Sequence, residues 1–295
     1  MNELKIARIL FATDFLESSR LALDYAVAFA HHFKSTVTLL HAVELSPPAE
    51  EAEVVTGRPC VSRTAAKERL DAFAAGLRRT GLEVKTIVED GTPCQVILNV
   101  VKAQSPGLLV IGVHGVHRGV GHLLIGSNTE KILLSVSCPT LSVGAHVLAG
   151  IDLRLKLNRI VYCSDFTPEA AAAAPYALQL GREFNVPVEV CHLAPTPLQH
   201  DSEPAQEQAE NYCDALRRRI PDTAGDWCTP AFHLKHGFDL DQILTRVETE
   251  TAGLIVLGVR AESQFGRHLH TSFAYQLLTR AVCPILTISG EPNDG

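Results

Sequence analysis

Three short segments carry residue types suited to holding an anionic, partly planar molecule. Gly112-Val113-His114-Gly115 is followed, after the ten residues 116–125, by Gly126-Ser127-Asn128. Glycines let backbone N–H groups close on an anion. A helix starting at this point adds unpaired N–H groups and the positive end of its dipole. Ser127 adds a hydroxyl donor, so the set suits a polyphosphate. The same glycines also have a purely structural reading, Gly112 and Gly115 as a tight turn and Gly126 as a close-packing position. No Gly-Lys-Ser/Thr follows at Walker spacing. The second segment is Ala12-Thr13-Asp14, whose carboxylate can accept hydrogen bonds from a ribose or a base amine. The third is His41-Ala42, where the small Ala42 leaves room for a planar group.

Other chemistry finds less support. His114, His117 and His122 cluster in one loop, and His268 and His270 in its counterpart, but their spacing matches no standard zinc site. They read as loop histidines, and no metal site is expected. His31-His32 reads as a pair complementing a helix C-terminus. No Gly-x-Ser-x-Gly elbow is present, and no dedicated general base stands out, so no catalytic residue is assigned. Slow hydrolysis of a triphosphate bound near His114 stays open as an activity.

The bulk numbers narrow the class. The chain has 295 residues, 46% hydrophobic and 20% charged, enough for two soluble domains of ordinary size. A net charge of −7 argues against a general nucleic-acid binder. No apolar run is long enough for a membrane span; the most alanine-rich stretch, Ala170 to Leu180, is interrupted by Pro175. The N-terminal residues show no signal-peptide pattern. The 8 cysteines include no Cys-x-x-Cys and sit mostly in strand-like runs. Reduced core thiols in a cytoplasmic protein are expected.

The elements that must position these segments alternate. Short apolar runs at Ile6–Ala12, Thr36–Val43, Glu83–Glu89, Leu108–Val113 and Thr140–Val143 read as strands. Between them lie helical stretches: one capped by Ser18, then Lys67–Arg79, Cys94–Ala103 and Thr129–Val136. The second half repeats the order, with strands at Ile160–Cys163, Val188–Leu193, Phe232–Lys235, Leu254–Val259 and Ile285–Ile288. Thr167-Pro168-Glu169 is a helix start by its cap, its proline and its early acid. Further helices are expected near Glu207–Arg219, Leu240–Thr249 and Thr271–Ala281. Apolar strands alternating with helices imply a parallel sheet covered on both faces, with ligands beyond the carboxyl ends of the strands. A linker is expected near Gly144–Asn158, where Leu153, Leu155 and Leu157 suggest an edge strand.

The two halves are copies. Arg8-Ile9-Leu10-Phe11-Ala12-Thr13-Asp14-Phe15 returns as Arg159-Ile160-Val161-Tyr162-Cys163-Ser164-Asp165-Phe166, an offset of 151 (165 − 14). Ser137-Cys138-Pro139 returns as Val282-Cys283-Pro284, an offset of 145 (283 − 138). Repetition in one order means two domains of one fold. The second loop, Gly258-Val259-Arg260-Ala261 followed by Thr271-Ser272, puts a Cβ where two of the first half's glycines stand. It also has nine intervening residues, 262–270, against ten, which puts the first half's extra residue near Val116-His117.

Ile-Leu-Phe-Ala-Thr-Asp-Phe, Leu-Leu-His-Ala-Val-Glu, Leu-Val-Ile-Gly-Val-His-Gly, the Gly-Ser before a helix, and Ser-Cys-Pro-Thr-Leu-Ser-Val together resemble the universal stress protein family, over essentially the whole chain. The resemblance implies two tandem Rossmann-like domains of the adenine nucleotide alpha hydrolase-like type, residues 1–146 and 155–290. Each would be a five-stranded parallel sheet with helices on both faces. It also implies ATP or a related adenine nucleotide, with or without Mg, bound by the first domain. Ala12, Thr13, Asp14 and Ala42 would lie at ribose and adenine. Gly112, His114 and Gly115 would lie at ribose and phosphates, and Gly126, Ser127 and Asn128 at the phosphates. The second domain, with its degenerate loop, would be a structural partner. The implied protein is a cytoplasmic regulator of the stress response rather than a dedicated enzyme. Its two copies would pair within the chain around Leu141–Val143 and Leu286–Ile288, and a homodimer is compatible with the family. A nucleotide-free interaction module and a slow ATPase timer are the competing readings.

Overall fold

The apolar runs of the first half become strands separated by helices. In chain order they are β1 (Arg8–Ala12), α1 (Glu17–Phe33), β2 (Thr36–Val43), α2 (Arg63–Arg78), β3 (Val84–Asp90), α3 (Pro93–Gln104), β4 (Leu108–Val113), β5 (Gly115–His117), β6 (Leu123–Ile125), α4 (Ser127–Ser135) and β7 (Thr140–Gly144). The second half gives β8 (Ile160–Ser164), α5 (Pro168–Phe184), β9 (Val188–Leu193), β10 (Ala231–Phe238), α6 (Leu240–Thr249), β11 (Leu254–Val259), α7 (Phe273–Arg280) and β12 (Ile285–Ser289). The structure, a computed structural model, describes residues 4–44, 62–113, 115–117, 123–125, 127–147, 157–165, 167–193, 231–238, 240–249, 253–259 and 273–289, with 207, 210, 211, 214, 215 and 218. Most of the expected 207–219 helix and of the 144–158 linker falls outside them.

The strands form one ten-stranded sheet in the order β10-β9-β8-β11-β12-β7-β4-β1-β2-β3. It consists of two five-stranded parallel sheets joined where β7 and β12 run antiparallel, with Leu141 opposite Leu286. The pairing falls where the family resemblance placed it. The short β5 and β6 form a separate antiparallel hairpin within the glycine-rich segment, where the sequence predicts only a loop.

Helices cover both faces. Against one face, α1, α2 and α5 bury Ala22, Ala26, Phe29, Leu70, Ala74, Ala173 and Ala177 on Phe11 and Tyr162 of the sheet. Against the other, α3, α4, α6 and α7 bury Val96, Ile97, Leu133, Ile243 and Leu277. Both apolar layers run through both halves, so the hydrophobic driving force joins the domains as well as folding each one.

Local signals set most helix ends. Thr167 caps α5 by accepting from Ala170 N, and Pro168 takes the first turn. Helix α5 then continues through Pro175, because the buried alanines around it hold the helix despite the missing N–H. Helix α2 begins a turn earlier than the apolar periodicity indicated, where Ser62 accepts from Ala65 N.

The halves are related about an approximate two-fold axis. Leu141 and Leu286, equivalent by the repeat offset, face each other in the sheet. On the α1/α5 face His32 meets Glu183, also equivalent by offset, at 2.9 Å. Phe33 and Phe184, again equivalents, pack edge to face with centroids 6.0 Å apart. His32 therefore does more than complement a helix end; it joins the domains. His31 bonds Thr80 Oγ1 at 3.2 Å.

One buried charge distinguishes the second half. Glu189 of β9 is 1% exposed and binds Arg159 Nη1 at 2.9 Å and Arg246 Nε. Thr38 holds the equivalent place in the first half and donates to Gln104 Oε1 at 3.3 Å.

Candidate functional site

In the first half the strand order β3-β2-β1-β4-β7 reverses direction beside β1, which opens a crevice at the carboxyl ends of β1 and β4. Ala12 pairs with Leu40 on one side and with Ile111 on the other. Asp14, Ala42 and Val113 therefore lie equally far beyond one rung of the sheet. The sequence-expected residues at the ends of β1, β2 and β4 thus share one edge. Gly115 opens β5 opposite Ile125, and Ser127 opens α4. Asn128 follows within the first turn and is half-buried. His114 and Gly126 lie outside the described residues. Val116 and His117, beside the inferred extra residue, belong to β5.

The turn after β1 is tightly bonded. Asp14 Oδ1 accepts from Leu16 N at 3.1 Å and from Ser19 Oγ at 2.6 Å. Thr13 Oγ1 accepts from Phe15 N at 3.0 Å. These bonds start α1 ahead of Ser18. Leu16 occupies the cap position without a side-chain bond, and Ser18 is buried inside the first turn rather than capping it. Phe15 has φ +64°, a left-handed backbone that is costly for a bulky residue.

Packing holds that conformation. The Phe15 ring lies 4.4 Å from the ring of His41 and 6.1 Å from that of Phe73. The Arg69 guanidinium sits over its face, 5.5 Å from the centroid. His41 Nδ1 donates to the Thr13 carbonyl at 2.8 Å, which ties β2 to the turn. Burial pushes the His41 imidazole below its usual range, against the opposing pull of the Thr13 carbonyl and Asp14; Arg69 adds to the lowering. Phe15, Arg69 and Phe73 escaped the sequence reading. Arg69 and Phe73 stand four apart on α2, so they share a face, but only the packing of α2 over β2 brings that face to the turn.

Gly112 lies within β4, not in a tight turn with Gly115 as its structural reading had it, and its role there is close packing. A Cβ on it would lie 2.6 Å from Ser19 N and 2.7 Å from Ser18 C, so its bareness lets α1 lie on β4. The second half does the same at Gly258, where a Cβ would lie 2.1 Å from Glu169 O. Asp165 also repeats the turn: its Oδ1 accepts from Thr167 N at 3.1 Å and from Thr167 Oγ1 at 2.6 Å. Residues 260–272, with Ala261 and Thr271, lie outside the described residues.

A second cleft opens at the opposite end of the sheet, lined by Leu4, Lys5, Lys102, Pro139 and Tyr176. Helix α3 ends there, and Lys102 in its last turn complements the negative end of the dipole. That setting does not suit a polyphosphate. Among the described residues no group of three or more His, Cys, Asp or Glu is arranged to hold a metal. Among them, too, no helix is long and apolar enough to cross a membrane.

Fold and crevice together define a tandem protein of two doubly wound α/β domains, joined edge to edge, with the glycine-rich loop in the first. The chain belongs to the universal stress protein family, whose profile matches residues 5–144 and 156–289. Among solved structures it is similar to a universal stress protein from Archaeoglobus fulgidus, with TM-score 0.72 and 18% identity over 96% of this chain and 98% of that one. A putative universal stress protein from Pseudomonas aeruginosa gives TM-score 0.65 and 19% identity over 96% and 93%. Both likenesses concern the fold. Universal stress protein MJ0577 of Methanocaldococcus jannaschii is 25% identical over 154 residues, 46% of this chain and 93% of that protein.

Proposed function

We propose that the first domain, residues 1–146, binds ATP or a related adenine nucleotide, and that the protein is a cytoplasmic regulator rather than a dedicated enzyme. In this reading the second domain, residues 155–290, has lost the site. The observation that carries the proposal is the convergence of Ala12, Thr13, Asp14 and Ala42 with Gly112 and Val113 at one sheet edge, followed by the hairpin and the start of α4. Asp14 and Ala42 would take the ribose and base. His114, Gly115, Gly126, Ser127 and Asn128 would take the phosphates, through N–H groups, a hydroxyl and the α4 dipole. Gly112 would contribute by seating α1 behind the crevice. Mg²⁺ would accompany the nucleotide as counter-cation to its phosphates.

Calorimetric titration of the full chain with ATP tests the reading. Saturable heat that disappears in Gly126→Val is expected, because the added side chain fills the phosphate position. Folded protein giving no heat at millimolar ATP would sink the reading and favour a nucleotide-free interaction module.

A further inference from the structure

The second domain reaches the parts of the first that would hold phosphate. Helix α7 packs against both β6 and β7, so the β5–β6 hairpin rests on the other copy. A Cβ on Gly144 of β7 would lie 3.1 Å from the Leu278 carbonyl of α7, which measures how closely the two approach. At the far end of α4, Ser289 Oγ of β12 donates to the Val136 carbonyl at 2.6 Å. That carbonyl lies just beyond the C-terminus of α4, where backbone acceptors lack helical partners. Thr287 Oγ1 adds a buried bond to the Thr140 carbonyl at 3.2 Å. Thus the hairpin and α4, the two elements that follow Gly112–Gly115, are both anchored on residues 273–289.

We propose that the second domain positions the phosphate end of the first domain's site, with Ser289 and the Gly144–Leu278 contact as positioning elements. The inference rests on the nucleotide reading above. A rigid α4 presents its amides at a fixed height and angle, and the anchor at its C-terminal end sets both. The base and ribose end is built on β1 and β2, which pair with strands of the first domain, and the second domain meets α1 at the end far from the Asp14 turn, at His32 and Phe33. The second copy therefore acts on one part of the ligand and not on the other.

Titrating the full chain with ATP and separately with adenosine tests this. Ser289→Ala is expected to weaken ATP about fivefold, the equivalent of one ordinary hydrogen bond, and to leave adenosine unchanged. Ser289→Thr restores ATP affinity, and Gly144→Ala, which crowds Leu278, weakens ATP as Ser289→Ala does. Equal losses for ATP and adenosine, or wild-type ATP affinity in both variants, overturn the inference while the nucleotide reading stands. A wild-type chain that binds no ATP overturns both. Hydrogen exchange on the unsubstituted chain gives a reading that needs no variant. ATP should slow exchange in 273–289 along with α4, and protection confined to the first domain overturns the inference.

Discussion

The turn after β1 and the turn after β8 are built from the same aspartate and do nearly the same work. In each, Oδ1 accepts the N–H two residues on and a hydroxyl. In each, a glycine on the neighbouring strand, Gly112 or Gly258, leaves room for the first turn of the following helix. The aspartate and this first glycine are therefore requirements of the fold, present whether or not a ligand binds. What separates the halves lies further along the loop, at Gly115 and Gly126 against Ala261 and Thr271. The repeat thus separates the residues that packing requires from those that only the proposed nucleotide site would require.

The glycines give the largest way to break this comparison. Gly112→Ala and Gly258→Ala should each destabilise by about 3 kcal/mol through overpacking, measured by urea unfolding. If Gly112→Ala kept full stability and lost only ATP binding, the packing role would be wrong. The aspartates come next. Asp14→Ala and Asp165→Ala should each lose about 1 kcal/mol of stability with their turn bonds. Only Asp14→Ala should also weaken ATP, by about tenfold or more. Equal ATP affinities in the two variants would remove Asp14 from the site.

The smallest effect is in pH. His41 is held below its ordinary value of 6.5 in the folded protein, so the unfolded chain takes up the proton first as pH falls. Its contribution is whole above about pH 6.5 and is lost as pH drops towards the folded value. His41→Asn should flatten the fall in melting temperature between pH 7.5 and 5.5, and an unchanged slope would assign the dependence elsewhere. His192→Asn, measured in parallel, shows whether the second half shares it.

The sheet was legible because its strands are short apolar runs in a repeated order, and the β7–β12 junction because the family resemblance named it. The β5–β6 hairpin was not. Its three-residue strands are too short for a period to show, and its partners are set by the protein packed around them. The α2 start was missed because Ser62 precedes the apolar face that begins at Ala66. At the site, Asp14 and Ala42 stood out by residue type at strand ends. Phe15, Arg69 and Phe73 did not, since a phenylalanine ordinarily means core and an arginine on a helix ordinarily means surface, and their meeting depends on tertiary packing.

The contact between His32 and Glu183 carries one more consequence. Residues on a two-fold axis meet their own copies, so two identical chains docked this way would face histidine with histidine or glutamate with glutamate. A single chain carrying both copies is free of that constraint and can set base against acid there. It keeps phenylalanine against phenylalanine beside them, where likeness costs nothing. Covalent fusion thus allows complementary sequence change between halves that a homodimer, bearing every substitution twice, cannot make.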